Sequence, residues 1–510
     1  MYLDQREFLN IHPSLESVLN KVKVQRASNS RIQNDLVPFD LQHTVLPKPQ
    51  VTKSVLDDFS SNLYGNTHSL NPSSSSTTKA VSDARKDILL YLGADPDRYS
   101  VIFTANKAAA FKLVIESFQF QEQSTVGFIG LRADSATFLA KSLLHSLNIS
   151  SQALSSSDLN SFFRSKRASH PANNSAEEQA QKFPFKNLLL LSSVHSDTGQ
   201  PCDSSELLKH QSEFSTDTLL VVDLDNSVGT LPHGISDLIQ PNPPSRPSPL
   251  TFASLPGFFI VSLSLLVDFP TQLCAVIAKD DVLKTIERRA FAGGTVTIAL
   301  ACERFHQERP LQSSRFEDGT IPFLDIITVK HALAQVRSED SLSVDEDDED
   351  DEGWVGESSL DSSQLSLPPR SALIHHLADF TRQKLLSLRH TNSQQLVRVM
   401  SVPYSPLLRF TLLNKFGKEI SPATVVKEAA EHSIFLEYPS CSLLNATLDT
   451  VSIPHFSPSS FSSPSEGDSA SLLTGCRNGI VARFGRKTVV SDSSALIRFV
   501  YSWKDRDSCN

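Results

Sequence analysis

The chain has 510 residues, too many for one ordinary core, so we expect two or three domains. Hydrophobic residues make up 39% and charged residues 20%, which indicates folded cores diluted by polar inserts and excludes wholesale disorder. The net charge is −10, but a run of eight carboxylates (345–352) leaves only −2 elsewhere, a balance that argues against a nucleic-acid partner.

Over the first two thirds of the chain, hydrophobic patterning predicts alternating strands and helices. A helix is expected over 79–92, since apolar residues recur there at helical spacing. Further along, the apolar runs lack a period of two, which is typical of a mainly parallel sheet covered by helices. These strands and helices are expected at 100–104, 108–118, 125–131, 134–147, 187–192, 219–223, 259–267 and 274–278, with a polar insertion at 150–182.

The last third is divided from the first by an acidic, Ser-rich segment. A long helix is expected at 323–336, and the eight carboxylates that follow it predict a solvated linker. Beyond the linker, helices at 371–388 and 421–432 with strands within 396–413 predict a small α+β domain. The predicted organisation is a polar N-terminal extension (1–36), a large domain (37–336), the linker (337–370) and the small domain (371–510).

Six cysteines are scattered along the chain without a CxxC pair or other metal-ligand spacing. This pattern predicts a reduced, cytoplasmic protein without a metal site. No apolar segment of a secretory signal follows the N-terminus. The stretch 247–267 is uncharged, but prolines interrupt it and its dense apolar part is about half a membrane span, so we predict a buried strand and no membrane partner.

Four segments together resemble a known family. They are 64–72 (YGNTHSLNP), 99–104 (YSVIFT), 291–295 (FAGGT) and 315–325 (RFEDGTIPFLD), and they resemble the sulfurase domain of molybdenum cofactor sulfurases. That family lies in the class V, fold-type-I branch of pyridoxal phosphate proteins, with the cysteine desulfurases. The resemblance covers about 37–505. It implies an α/β fold with a mixed, mostly parallel sheet, a small α+β C-terminal domain, a homodimer, and pyridoxal phosphate as cofactor.

The resemblance also identifies the position of the family's Schiff-base lysine. It lies shortly before a Phe-Pro-Thr sequence, which here begins at Phe269, and the match from Phe269 to Thr295 has no gap. Leu265 therefore occupies the lysine position. Because leucine has no amine, a covalent link to pyridoxal phosphate is not expected there. We expect Leu265 close to Asp223 in a small apolar pocket, with no lysine amine near that carboxylate.

Other cofactor positions are partly retained. Asp223, at the end of an apolar strand, matches the family's acid partner of the ring nitrogen, and Ser262 and Thr295 match its phosphate ligands, Thr295 reaching across the dimer. The family's SGAT phosphate turn reads ANKA at 105–108, and Ala133 replaces a ring-stacking histidine. Plainer explanations stay open for each retained residue: a helix cap for Asp223, one serine among several for Ser262, and a backbone turn for Thr295.

Sulfur transfer needs a thiolate on a mobile loop. Cys441, in 437–442 (EYPSCS), is the nearest counterpart, but Glu437 stands where the family has a basic residue and would raise a neighbouring thiol pKa. A structural or incidental role is therefore expected for Cys441. The family's substrate-carboxylate arginine aligns with Val481, although Arg483 lies two residues on and shares the strand face.

Three functional hypotheses follow. The favoured one is a molybdenum cofactor sulfurase-like protein that is catalytically impaired, a pseudoenzyme acting as a binding or dimer-partner protein. The alternative is an active pyridoxal phosphate-dependent sulfurtransferase, moving cysteine sulfur to the molybdenum cofactor, whose lysine lies elsewhere. A third is a metabolite-binding protein that uses Asp223 and Ser262 non-covalently.

Overall fold

The structure is a computed structural model that describes most of the chain. Three sequence predictions concern residues outside the described part: the linker's acidic run 345–352, Ala133 and Cys441. The described residues are 5–28, 37–40, 48–121, 123–131, 134–154, 158–159, 162, 185–196, 198–202, 217–227, 257–303, 305–341, 369–437, 479–484, 488 and 490–506.

Helices and strands alternate along most of the described chain, as the patterning predicted. The helices are α1 (Gln5–Ile11), α2 (Glu16–Ser28), α3 (Pro49–Ser61), α4 (Pro72–Tyr91), α5 (Lys107–Ser117), α6 (Ser135–Ser146), α7 (Leu263–Val267), α8 (Asp280–Thr285), α9 (Gln312–Phe316), α10 (Phe323–Ser341), α11 (Pro369–Ser387), α12 (Pro422–Glu431) and α13 (Val490–Tyr501). The strands are β1 (Val37–Pro38), β2 (Tyr99–Thr104), β3 (Thr125–Ile129), β4 (Ser150–Leu154), β5 (Asn187–Ser192), β6 (Thr218–Asp223), β7 (Gly257–Ser262), β8 (Cys274–Lys279), β9 (Val296–Ala299), β10 (His306–Glu308), β11 (Val397–Val399), β12 (Leu407–Leu412), β13 (Ile434–Phe435) and β14 (Ile480–Arg483).

Within the described residues, seven strands form the main sheet in the order β2-β8-β7-β6-β5-β3-β4. The strands from β7 to β4 pair in parallel, and β8 runs antiparallel to both of its neighbours. The predicted α/β fold with a mixed, mostly parallel sheet is confirmed. Strand β4 lies where the sequence indicated a polar insertion, because an exposed edge strand carries no apolar pattern.

Helix caps position the start of α5 and of α6. The side chain of Asn106 accepts a hydrogen bond from the backbone N–H of Ala109, and Asp134 does the same for Thr137. Asn and Asp are preferred at this position because their oxygens satisfy N–H groups that have no partner within the helix. Both caps directly follow strands of the sheet, so they hold Lys107 and Asp134 near its carboxyl edge.

The sheet is buried on both faces, and a separate core lies beyond it. One cluster packs α4, α7 and α10 on one face, and another packs α5 and α6 on the opposite face. The second core joins residues from 373–503 to Phe8, Leu15 and Leu19. The N-terminal segment that appeared polar in sequence thus supplies buried side chains to the C-terminal core, and Phe8 lies edge-on to Phe380 with ring centres 5.4 Å apart.

Two further sequence predictions concern the linker and the membrane. Helix α10 extends to Ser341, five residues beyond the predicted end. The linker boundary stays a prediction, since 342–368 lie outside the described residues. Among the helices of the described ranges, none combines the length and apolar character that a membrane crossing requires.

Candidate functional site

A charged cluster lies at the carboxyl edge of the main sheet. Lys107, the first residue of α5, places its Nζ 2.6 Å from Oδ2 of Asp223 at the end of β6. The same Nζ lies 3.0 Å from Oδ2 of Asp134 and 3.2 Å from Oδ2 of Asp225. Ligand sites of open α/β sheets lie at this edge. The fold therefore brings one ammonium and three carboxylates to the place where such a site would be.

The cluster is nearly closed to solvent. The side chains of Asp223 and Asp225 are about 95% buried, and that of Lys107 is 13% exposed. Burial alone would lower the pKa of Lys107, but the surrounding carboxylates outweigh it and hold that pKa well above its ordinary value. Lys107 is therefore a fixed cation and a poor nucleophile, because its amine carries no free lone pair.

The three carboxylates exceed the single cation that faces them. Burial, with help from Asp225 and Asp134 and against the effect of Lys107, raises the pKa of Asp223 to about 6. Asp134, despite its burial, has a lowered pKa because Lys107 and the Thr137 backbone favour its charged form. The excess negative charge therefore falls on Asp223, which takes up a proton more readily than an ordinary aspartate.

Ser262 supports this cluster and faces a carboxylate of its own chain. Its backbone N–H donates to Oδ1 of Asp225 and its hydroxyl to Oδ2, each at 2.8 Å. The first turn after Ser262 is α7, which carries the half-buried Leu265. Strand pairing sets Asp223 opposite Ile260, two residues before Ser262.

The expected pocket is corrected by this geometry. The sequence predicted an apolar space without a lysine amine near Asp223, but the amine of Lys107 lies 2.6 Å from that carboxylate. The prediction considered the lysine position at 265 and overlooked a lysine arriving from the helix turn at 105–108. A long, flexible side chain at a helix start can reach the neighbouring strand ends, so the site is charged and filled.

Thr295 does not join this cluster. Its hydroxyl donates to the carbonyl of Ala292 at 2.7 Å, and it accepts a weaker bond from the Ala292 N–H at 3.3 Å. The side chain is 1% exposed, so the bonds within its own turn account for its hydroxyl. In this chain, the turn explanation considered from sequence fits Thr295.

Arg483 of the C-terminal core reaches toward the same edge. Its Nη1 donates to Oδ1 of Asn226 at 3.1 Å, and its Nη2 lies 3.5 Å from Oε2 of the buried Glu437. Asn226 in turn donates to the carbonyl of Val194 at 2.9 Å, which ties the arginine to the end of β5. Arg483, which the sequence placed on the same strand face as Val481, is thus paired with the carboxylate of Glu437.

The groups that would hold pyridoxal phosphate can be tested against these contacts. The carboxylate for the ring nitrogen is occupied by Lys107, and position 265 offers no amine. At the phosphate turn, the side chain of Asn106 takes the Ala109 N–H, one of the helix donors that an anion would use. The residues present therefore do not fit this cofactor.

Three of the four family-like segments meet elsewhere in the fold. The side-chain amide of Asn66 donates to Thr320 Oγ1 at 3.0 Å, and a ring nitrogen of His68 lies 3.0 Å from the carbonyl of Gly319. Gly294 has φ +95°, and a Cβ there would lie 2.8 Å from that same carbonyl, so only glycine fits. These segments are close together because they build one junction beside α4.

The fold is that of the cysteine desulfurases. The apo structure of a cysteine desulfurase from Thermococcus onnurineus NA1 matches with a TM-score of 0.61 over 94% of this chain and 96% of its own, at 14% identity. A cysteine desulfurase from Escherichia coli gives 0.60 over 94% of this chain and 98% of its own, at 15% identity. At such identities the likeness defines the fold alone.

In sequence, the chain is similar to molybdenum cofactor sulfurases. That of Bos taurus is 26% identical over 481 residues, covering 90% of this chain and 49% of the relative, and that of Homo sapiens is 27% identical over 473 residues, covering 88% and 47%. The chain thus spans about half the length of these curated relatives. No family model matches it. The resemblance predicted from the four segments is confirmed, since about nine tenths of this chain is similar to molybdenum cofactor sulfurases.

The sequence prediction missed most of the charged cluster. It identified Asp223 and Ser262, and it gave no role to Lys107 in the turn at 105–108. Asp134 and Asp225 carried a usable signal, since each follows a predicted strand that ends at the same sheet edge. Asn226 follows the same strand as Asp225, but its role could not be predicted, because it depends on the distant Arg483.

Proposed function

We propose that this chain is a molybdenum cofactor sulfurase-like protein that has lost covalent pyridoxal phosphate chemistry and acts as a binding or dimer-partner protein. The observation that carries the proposal is the 2.6 Å ion pair between Lys107 Nζ and Asp223 Oδ2. Pyridoxal phosphate acts as an electron sink only when an acid is free to meet its ring nitrogen and a lysine amine is free to react. Here the acid holds the chain's own ammonium, and the amine is protonated and buried.

The energetics support a closed site. Removing one partner of a buried ion pair costs about 3–5 kcal/mol, because the remaining charge stays uncompensated in a low-dielectric setting. A cofactor that displaced Lys107 from Asp223 would face a penalty of this kind. The same argument applies to a substrate carboxylate at Arg483, which would have to displace Glu437.

The proposal is tested by adding pyridoxal phosphate to the purified chain, reducing with borohydride and mapping adducts by mass spectrometry. We expect no stoichiometric adduct at any one lysine, and no sulfide release from cysteine under reducing conditions. A known cysteine desulfurase, treated in parallel, provides the positive control. Exposed lysines react weakly with free aldehyde, so an equal, low background on many lysines supports the proposal.

One result favours the alternative of an active sulfurtransferase. A single stoichiometric adduct, at Lys107 or any other lysine, together with sulfide release would overturn the proposal that the protein is catalytically impaired. A saturable, unreduced complex with pyridoxal phosphate and no adduct would instead favour the metabolite-binding hypothesis.

A homodimer is the partner arrangement that we propose with this function. Its support is an exposed apolar surface around the hairpin β9–β10, where Phe291, Ile298 and Phe305 are each about half exposed. Paired apolar surfaces of this kind drive association. Light scattering after gel filtration should give twice the chain mass, and Ile298→Asp should shift it toward the monomer. Two cysteines of the described part, Cys274 and Cys302, are free thiols, and a reducing, cytoplasmic location is proposed on that pattern.

A further inference from the structure

A second cavity lies at the opposite end of β2 from the charged cluster. Lys107 follows the carboxyl end of this strand, whereas Tyr99 begins it, and an extended strand of six residues separates its ends by about 17 Å. The cavity has a volume of about 610 Å³, within the usual range of small-molecule sites. It lies between α4, the start of β2 and residues 309–321.

Three residues that line this cavity carry buried polar atoms without partners in the described part of the chain. Tyr99 is 97% buried, and its hydroxyl has no hydrogen-bond partner among the described residues. The hydroxyl of Thr67 and Nε of Arg309 are likewise buried and unpaired within the described ranges. Buried donors of this kind are costly unless something satisfies them, so three of them on residues that line one cavity indicate a ligand that supplies acceptors.

The charges around the cavity favour an anion. Arg85 and Glu317 neutralise each other through two hydrogen bonds of 2.8 and 2.7 Å, so this pair adds no net charge to the lining. Arg309 has no carboxylate partner in the described part of the chain, and it leaves a guanidinium available at the cavity. A guanidinium with a fork of N–H donors recognises carboxylate and phosphate oxygens in particular.

Part of the remaining lining is apolar, and it includes Val81 and Leu89 of α4 and Ile321 from the segment before α10. Lys86 and Asp97 add one charge of each sign, so the unpaired Arg309 still leaves the lining with a net positive charge. We propose that this cavity binds a small organic oxyanion, a carboxylate or phosphate carried on an apolar body. Arg309 binds the oxyanion, Tyr99 and Thr67 donate their hydroxyls, and the α4 side chains contact the apolar body.

Isothermal titration calorimetry with the full chain tests this proposal. Phenyl phosphate and benzoate are the probes, and phenol is the uncharged match for their apolar part. We expect saturable one-site binding of at least one charged probe, and no binding of phenol at the same concentrations. Whichever probe binds more tightly identifies the head group as phosphate or carboxylate.

Two variants assign the binding to this cavity. Arg309→Gln should weaken the better probe about tenfold or more, because a charge-assisted bond is lost, and Tyr99→Phe should weaken it by a smaller factor. The control Arg398→Gln removes an exposed arginine of strand β11, and it should leave the affinity for the probe unchanged. Circular dichroism verifies folding of each variant. Absence of saturable binding by the natural chain, or equal affinity in Arg309→Gln, would overturn the proposal.

Discussion

The two ends of strand β2 differ in how their polar groups are satisfied. At the carboxyl end, the ammonium of Lys107 lies within 3.2 Å of the carboxylates of three aspartates. At the amino end, Tyr99 and Arg309 line an open cavity, and the hydroxyl of the first and Nε of the second have no partner among the described residues. Polar groups that satisfy one another stabilise the fold and exclude ligands, whereas unsatisfied ones cost stability and favour binding.

This difference bears on function. The carboxyl end of β2, which the charged cluster fills, is where proteins of this fold would hold a cofactor. The absence of free space there supports the proposed loss of covalent chemistry. The open end is a different place, lined in part by the family-like segments around Gly294 and Glu317. A chain can therefore keep a family's fold while the position of its available site changes.

The largest expected effect is that of Lys107→Met on stability. Methionine keeps much of the side-chain volume but removes the ammonium, which leaves buried carboxylates facing one another. We expect the free energy of unfolding to fall by about 3–5 kcal/mol, measured by urea denaturation. The matched control is Lys112→Met on the same helix, where the lysine is half exposed and loosely paired with Glu116; it should change stability by less than about 0.5 kcal/mol. Equal effects of the two variants would show that the charged cluster is not closed.

The second effect is a pH dependence that originates in Asp223. Its folded pKa of about 6 lies above the ordinary 3.8, so the folded state binds a proton that the unfolded state has released between these values. The stability that this group contributes is therefore fully present below about pH 4 and is lost as the pH rises through about 6, by at most about 3 kcal/mol.

Asp223→Asn isolates this contribution. The stability of the natural chain relative to the variant should fall from pH 4 to pH 6 and stay level above it, measured by urea unfolding at each pH. A relative stability that rises over this range would mean that Asp223 has a lowered pKa, and that Lys107 outweighs the other carboxylates.

A smaller effect, opposite in sign to that of Lys107→Met, is expected at the open end. Tyr99→Phe removes a buried hydroxyl that has no partner in the described ranges and leaves the ring packed, so the variant should be as stable as the natural chain or up to about 1 kcal/mol more stable. Thermal unfolding without added ligand measures this difference. Destabilisation by more than about 1 kcal/mol would show that the hydroxyl is satisfied in the folded protein, and the contrast between the two ends would fail.

No gain of activity is expected from Leu265→Lys alone. The introduced amine does not free Asp223 from Lys107, and Glu437 still occupies Arg483. Sulfide release from cysteine should stay at background with pyridoxal phosphate present. The double variant Lys107→Ala with Leu265→Lys separates the two obstacles, since it frees the carboxylate as well. Activity in the single variant would show that the ion pair does not close the site.

The sequence by itself determined the fold class and the family resemblance. Apolar runs bounded by turns predicted the sheet strands β5, β6 and β7, because a buried parallel strand must be apolar on both faces. The run expected as a strand at 259–267 is a strand only to Ser262, and its second half is α7. The sequence did not predict the edge strand β4, whose exposed residues carry no such pattern, or the burial of Val18 and Val22 of α2, which stand among polar neighbours. The alignment of Leu265 with the family's lysine position stays a prediction.

Only the tertiary structure decided what fills the site. Asp134 and Asp223 are far from Lys107 in the chain, and the strand order brings their carboxylates within 3.0 Å of its ammonium. The same is true of Arg483 and Glu437, whose pairing depends on how the C-terminal core meets the sheet. Patterning reports which face of an element is buried, but a charged side chain's partner depends on which elements become neighbours and on the rotamer that burial imposes.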